Sequence, residues 1–125
     1  MRVMAAAFAA FVLIGSAAAQ DAAPRPSGQA WYQQQLVDLA GVLGGAHYLR
    51  ILCSGRGDQR WRDYMRGILN REPDMRQALS DSFNQGYRTE AARFSDCDSS
   101  SRQTESELRA RGLRISSALG AQGGN

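Results

Sequence analysis

An all-α domain of three or four helices, closed by one disulfide, is the fold class that this sequence predicts. Three observations carry the expectation. Apolar residues recur at three- and four-residue steps in several separate stretches, no stretch alternates polar and apolar positions with the β-branched residues of a strand, and two cysteines stand far apart in a chain of 125 residues. Helices of such lengths joined by short connections favour a compact arrangement with sequence neighbours antiparallel.

The chain opens on a segment that does not belong to that domain. Met1 and Arg2 give a positive start, Val3–Ile14 is uninterruptedly apolar, and Gly15–Ala19 ends in an A-x-A pattern before Gln20, the layout of a secretory signal peptide over residues 1–19. A run of about a dozen apolar residues falls short of the roughly twenty needed to span a bilayer. No cysteine follows the cleavage pattern to carry a lipid, so the expected product is periplasmic or secreted, with no transmembrane span after cleavage. Loss of 19 residues from 125 leaves 106, enough for one small domain.

Residues 20–30, with Pro24, Pro26 and small or polar side chains, read as a flexible lead-in, and residues 31–120 as the helical domain. In the first helix Tyr32, Leu36, Leu39, Leu43 and Ala46 mark one face, and Ser54-Gly55-Arg56-Gly57 ends it by glycine chemistry at a helix C-terminus. Asp58 is placed to cap a second helix whose core face is Trp61, Tyr64, Met65, Ile68 and Leu69. Pro73 suits the first turn of a third, along which Met75, Leu79, Phe83, Tyr87 and Phe94 share one side. The break Ser95–Ser101 offers a capping box at Ser100 and Gln103 for a fourth helix through Leu108, Ile115 and Leu119, interrupted by Gly112. The tail, residues 121–125, reads as disordered.

Cys53 and Cys97 are the two cysteines of the chain, and in an oxidising compartment they read as one disulfide. Closing a loop of that length stabilises a domain by about 4 kcal/mol on the chain-entropy estimate. Two lone cysteines and one histidine without C-x-x-C spacing make neither a zinc site nor a redox motif, and no cofactor or metal is called for. All 15 basic residues are arginine, and without Arg2 the balance is 14 arginines against 12 acids, interspersed along the chain. Nucleic-acid binders concentrate such charge in patches or arms, so no nucleic-acid partner is expected. The densest stretch, Arg56–Arg66, interleaves arginines with Trp61 and Tyr64, and reads as a solvated basic face opposite a core face.

The stretch "LAGVLGGAHYLRILC" combines three glycines with the single histidine. At 100° per residue His47 falls near Leu36 and Leu43, and Arg50 beside Leu39 and Tyr32, so both polar residues point inward. Gly41, Gly44 and Gly45 fall on another arc; each costs a helix about 1 kcal/mol against alanine, and a close approach by a second backbone justifies that cost. An inward arginine needs a partner. On the third helix Glu90 falls among Leu79, Phe83 and Phe94, which makes His47, Arg50 and Glu90 the candidate polar cluster.

"HYLRILC", "WRDYM" and "FNQGYR" ahead of a second cysteine resemble a family of small uncharacterised alphaproteobacterial exported proteins with two well-separated cysteines, a domain of unknown function. The resemblance spans most of the mature chain and implies export and the disulfide, without implying a chemistry. Within its blocks Arg62, Asn84, Tyr87 and Arg88 are candidate surface or binding residues. Two functional classes follow: a non-catalytic envelope protein that binds another protein or a cell-wall component, and a small cell-envelope hydrolase using His47 with Glu90 or Asp63 as acid and base. The first is favoured, because no nucleophile or metal motif completes the second. Export predicts a mature protein whose N-terminal sequencing begins at Gln20; retention of Val3–Ile14 refutes the signal peptide.

Overall fold

A computed structural model describes residues 28–123. The signal peptide, most of the lead-in and the last two residues of the tail lie outside the described residues. Four α-helices follow one another: α1 (Gly28–Ser54), α2 (Arg60–Arg71), α3 (Arg76–Arg93) and α4 (Ser99–Gly123), with a 3-10 turn at Pro73–Met75 leading into α3. No strand occurs among the described residues. The Cys53–Cys97 disulfide joins the end of α1 to the segment before α4.

Helix α1 is the centre. Its predicted amphipathic face widens into burial on every side, with Val42, Leu43, Gly44, Gly45, Ala46 and His47 consecutively buried. A helix that is apolar all round needs neighbours all round, and α2, α3 and α4 each pack against it. This helix is also long and apolar enough to cross a membrane, with a mean hydropathy of 1.4 over its most apolar window. Here the apolar surface is covered by the other helices: Leu36, Leu39, Ala40 and Leu43 of α1 form one core with Met65 and Ile68 of α2 and Leu79 of α3, against which Ile115 and Leu119 of α4 pack.

Helix boundaries depart from the sequence reading where local chemistry was misplaced by a few residues. The lead-in ends earlier than expected: α1 begins at Gly28, directly after the Pro24–Pro26 stretch, because Gln29 and Ala30 favour helix. At its other end Gly55, at φ 94°, donates its N–H to the Ile51 carbonyl at 3.0 Å and stops the helix as glycine chemistry demands. Asp58 stands one position outside the N-cap of α2, which is Gln59. The capping box of α4 is Asp98 with Ser101: each side-chain oxygen accepts the other's backbone N–H at 2.8 Å, replacing the predicted Ser100–Gln103 pair. Gly112 does not interrupt α4, and Ala121 to Gly123 continue the helix into the predicted disordered tail.

The closest packing is between α1 and α3, which run in the same sense. Gly41 faces Ser82 and Gly86, Gly45 faces Gly86 and Glu90, and the Tyr48 hydroxyl donates to the Phe94 carbonyl at the end of α3. At the crossing the Phe83 carbonyl occupies the space of a Gly44 Cβ, and the Gly41 carbonyl that of a Gly86 Cβ. Ser82 Oγ donates to the Val37 carbonyl at 2.6 Å beside them. The close approach inferred for the α1 glycines is therefore realised, with Gly86 as its counterpart on α3.

Two kinds of glycine can be told apart experimentally. Gly44→Ala and Gly86→Ala force the two backbones apart, an overpacking cost of about 3 kcal/mol that exceeds the about 1 kcal/mol gained in helix propensity. Gly112→Ala meets its nearest atom, Val42 Cγ1, at an ordinary 3.4 Å, so it keeps the propensity gain of up to about 1 kcal/mol. Urea melts of the oxidised protein should place the first two below wild type and the third at or above it.

Candidate functional site

His47 is buried at 6% exposure. Its ring lies between two aromatic side chains of α3, with centroids 5.8 Å from Phe83 and 6.0 Å from Tyr87, and Tyr87 in turn meets Tyr48 edge to face at 5.2 Å. Nδ1 has no hydrogen-bond partner among the described residues. Burial pushes the imidazole below its usual 6.5, and the positive charge of Arg62 pushes the same way, against weaker opposition from Asp58 and Asp63.

The expected pairing of Arg50 with Glu90 does not form. Arg50 turns toward the α1–α2 loop and α4, with Nε 2.9 Å from Asp58 Oδ2 and Nη1 3.7 Å from Glu105 Oε1. Arg60 reaches the other Asp58 oxygen at 3.0 Å, and Arg109 approaches Glu105 at 3.1 Å. Burial acts to raise the Asp58 carboxyl, but hydrogen bonds from Arg50 and Arg60 outweigh it and hold the group below its usual 3.8. Glu90 is buried for another reason: its Cγ sits 3.1 Å from the position of a Gly45 Cβ, in the notch that the glycine leaves, and Arg93 one turn on holds its carboxylate at 3.2 Å. His47 and Glu90 are buried and Arg50 is half-buried, and the three meet different sides of α1. What sequence spacing could not supply was which neighbour each side of α1 would face.

A cleft of about 510 Å³ opens between α2 and α3. Arg62 and Arg66 reach into it from α2, and Arg76, Ser80 and Asn84 from α3, over a floor that includes Met65 and Phe83; among the described residues no carboxylate lines it. Arg66 has Asp63 at 3.4 Å, both well exposed, whereas Arg62 and Arg76 make no ion pair among the described residues. Phe83 is shared by the cleft floor and the His47 stack, so the histidine lies one ring behind the cleft.

Of the four candidate surface residues, the fold brings Arg62 and Asn84 together in this cleft. Tyr87 is taken into the aromatic stack, and Arg88 donates to Gln85 on the exposed side of α3 at 3.1 Å. Arg66, Arg76 and Ser80 were missed by the sequence reading. Their signal was present: Arg62 and Arg66 are four apart, as are Arg76, Ser80 and Asn84, each set a single polar stripe on a helix.

The profile of the family described as "Protein of unknown function (DUF2385)" matches residues 31–122. The chain belongs to the DUF2385 family. No curated protein and no solved structure gives a significant match. The DUF2385 region takes in α2, α3 and nearly all of α1 and α4, so the polar interior, the disulfide and the arginine cleft all lie inside it.

The lowered pKa of His47 sets a sign for the pH dependence of the DUF2385 domain. A histidine that is harder to protonate folded than unfolded contributes stability above 6.5 and loses it as pH falls from there toward the folded value. The melting temperature should therefore begin to drop below 6.5, well above the 3.8 at which Asp58 ordinarily titrates. His47→Leu, which fills the space without a titrating ring, should remove that first limb and leave the carboxylate limb intact; melts across a pH series check both.

Proposed function

We propose that this DUF2385 protein is an exported, non-catalytic binding protein of the cell envelope, and that its α2–α3 cleft receives an anionic cell-wall component. The observation that carries the reading is the convergence of Arg62, Arg66 and Arg76 on one cleft without a lining carboxylate. Guanidinium groups bind carboxylate and phosphate through paired hydrogen bonds, and two of these three have no ion-pair partner among the described residues to give up first. Asn70, Ser80 and Asn84 add neutral donors and acceptors at the rim, of the kind a glycan or peptide needs. Export is supported by the apolar segment Val3–Ile14 and by a disulfide, which persists in oxidising compartments.

A hydrolase built on His47 draws no support from the geometry. Its imidazole is sealed under Phe83 and Tyr87, and among the described residues no carboxylate orients it, whereas a general base must reach the proton it takes.

Cosedimentation with purified cell-wall sacculi tests the binding reading. The protein should pellet with sacculi at low salt and be released as salt rises. The Arg62→Ala, Arg76→Ala double variant should lose about tenfold in bound fraction, since each charged hydrogen bond contributes more than 1 kcal/mol, while its melting temperature stays that of wild type. Absence of binding, or binding indifferent to the two arginines, refutes the proposal.

A further inference from the structure

On the opposite side of α2 the surface has the reverse character. Helices α2 and α4 both pack on α1 and leave between them an apolar groove, floored by Leu39, Val42, Leu43 and Ala46 and walled by Trp61 and Leu113. This cavity, about 210 Å³, shares Leu39, Tyr64 and Ser116 with a second of about 270 Å³ that continues past Leu36 to Tyr32. From Ala46 to Tyr32 the floor runs about 21 Å at the helical rise of about 1.5 Å per residue. Leu113, at 68% exposure, is left on its rim with Tyr64.

The geometry points to a long-chain fatty acid as the occupant, its hydrocarbon chain lying along α1 and its carboxylate at the Ala46 end. Length and section favour a single extended chain: a helix about 10 Å across laid along the same floor would need several times the space. Charge sets the direction. Beyond the Ala46 end Arg50, Arg102 and Arg109 outnumber the carboxylates that pair with them, Asp58 on Arg50 and Glu105 on Arg109, and the Arg109 side chain is 47% exposed at the mouth. At the other end Arg71 and Glu72 offset each other, and Glu72 already accepts the Tyr32 hydroxyl, so no net positive charge is on offer to an anionic head there. Trp61, on the Ala46 side, holds a buried indole N–H with no acceptor among the described residues. This site is independent of the arginine cleft and does not rest on it.

Trp61 also supplies the readout. In a Trp31→Phe background, which leaves Trp61 as the sole tryptophan, palmitate added below its micelle concentration should change the fluorescence saturably at one molecule per chain. Hexanoate should bind at least about tenfold more weakly, because each buried methylene adds to the transfer free energy. Gly112→Leu, which places a side chain in the groove, should weaken palmitate binding at least about tenfold with the disulfide and helix content unchanged. Leu113→Asp changes an exposed rim residue that folding does not require, so it tests the groove even if Gly112→Leu fails to fold, and it too should weaken binding. Affinity independent of chain length, or unchanged in Leu113→Asp, overturns the assignment. So does a doubled mass in light scattering that Leu113→Asp abolishes, which would give the groove to a second copy of the chain.

Discussion

Everything in this domain is arranged around the contact of two backbones. Gly41 and Gly44 on α1 and Gly86 on α3 leave no side chain where the helices cross, and carbonyl groups fill the space instead. At that distance the side chains flanking the crossing have little freedom. The stem of Glu90 enters the notch at Gly45, the rings of Phe83 and Tyr87 close over His47, and Ser82 bonds to the Val37 carbonyl. Each glycine weakens its own helix in isolation. The loss is offset because close approach maximises dispersion contact along the stretch of α1 from Val42 to His47, which is consecutively buried.

The far end of α1 is held by different means. There the chain must turn at Gly55, and the disulfide from Cys53 to Cys97 brings the start of α4 against it. Arg50 lies one turn before the cysteine and ties the same three segments electrostatically, through Asp58 in the loop and Glu105 in α4. The capping box of Asp98 and Ser101 begins α4 at that point, with Ser101 fully buried. Covalent, ionic and capping interactions thus converge where α1 leaves the core, the end at which the glycine contact no longer acts. A small domain with a modest apolar core gains most from constraints placed where packing is thinnest.

Periodicity made the helices and the inward direction of His47 legible in the sequence, and the cysteine count made the disulfide so. A spacing of three and four says which residues share a face of one helix and nothing about which helix covers that face. That is why spacing alone pairs Arg50 with Glu90, whereas in the fold each takes a nearer partner, Asp58 for the half-buried Arg50 and Arg93 for the buried Glu90. The same limit hid Gly86: a lone glycine in a polar helix carries no sign of the glycines it will meet 40 or more residues earlier. The arginine cleft was half visible for a related reason. Its two stripes lie on separate helices, and only the fold turns them toward one another.

Helix α2 separates two surfaces of opposite chemistry, with Arg62 and Arg66 on its α3 side and Trp61 and Tyr64 on its α4 side. At 12 residues it is too short to be stable alone, and it packs on α1 over a smaller surface than α3 or α4 does. Local opening costs least where buried apolar contact is least. Arg62, Arg66 and Trp61 therefore ride on the helix most lightly held to the core, while the surfaces they face, on α3 and α4, belong to a frame fixed by the glycine crossing with α1 and by the disulfide.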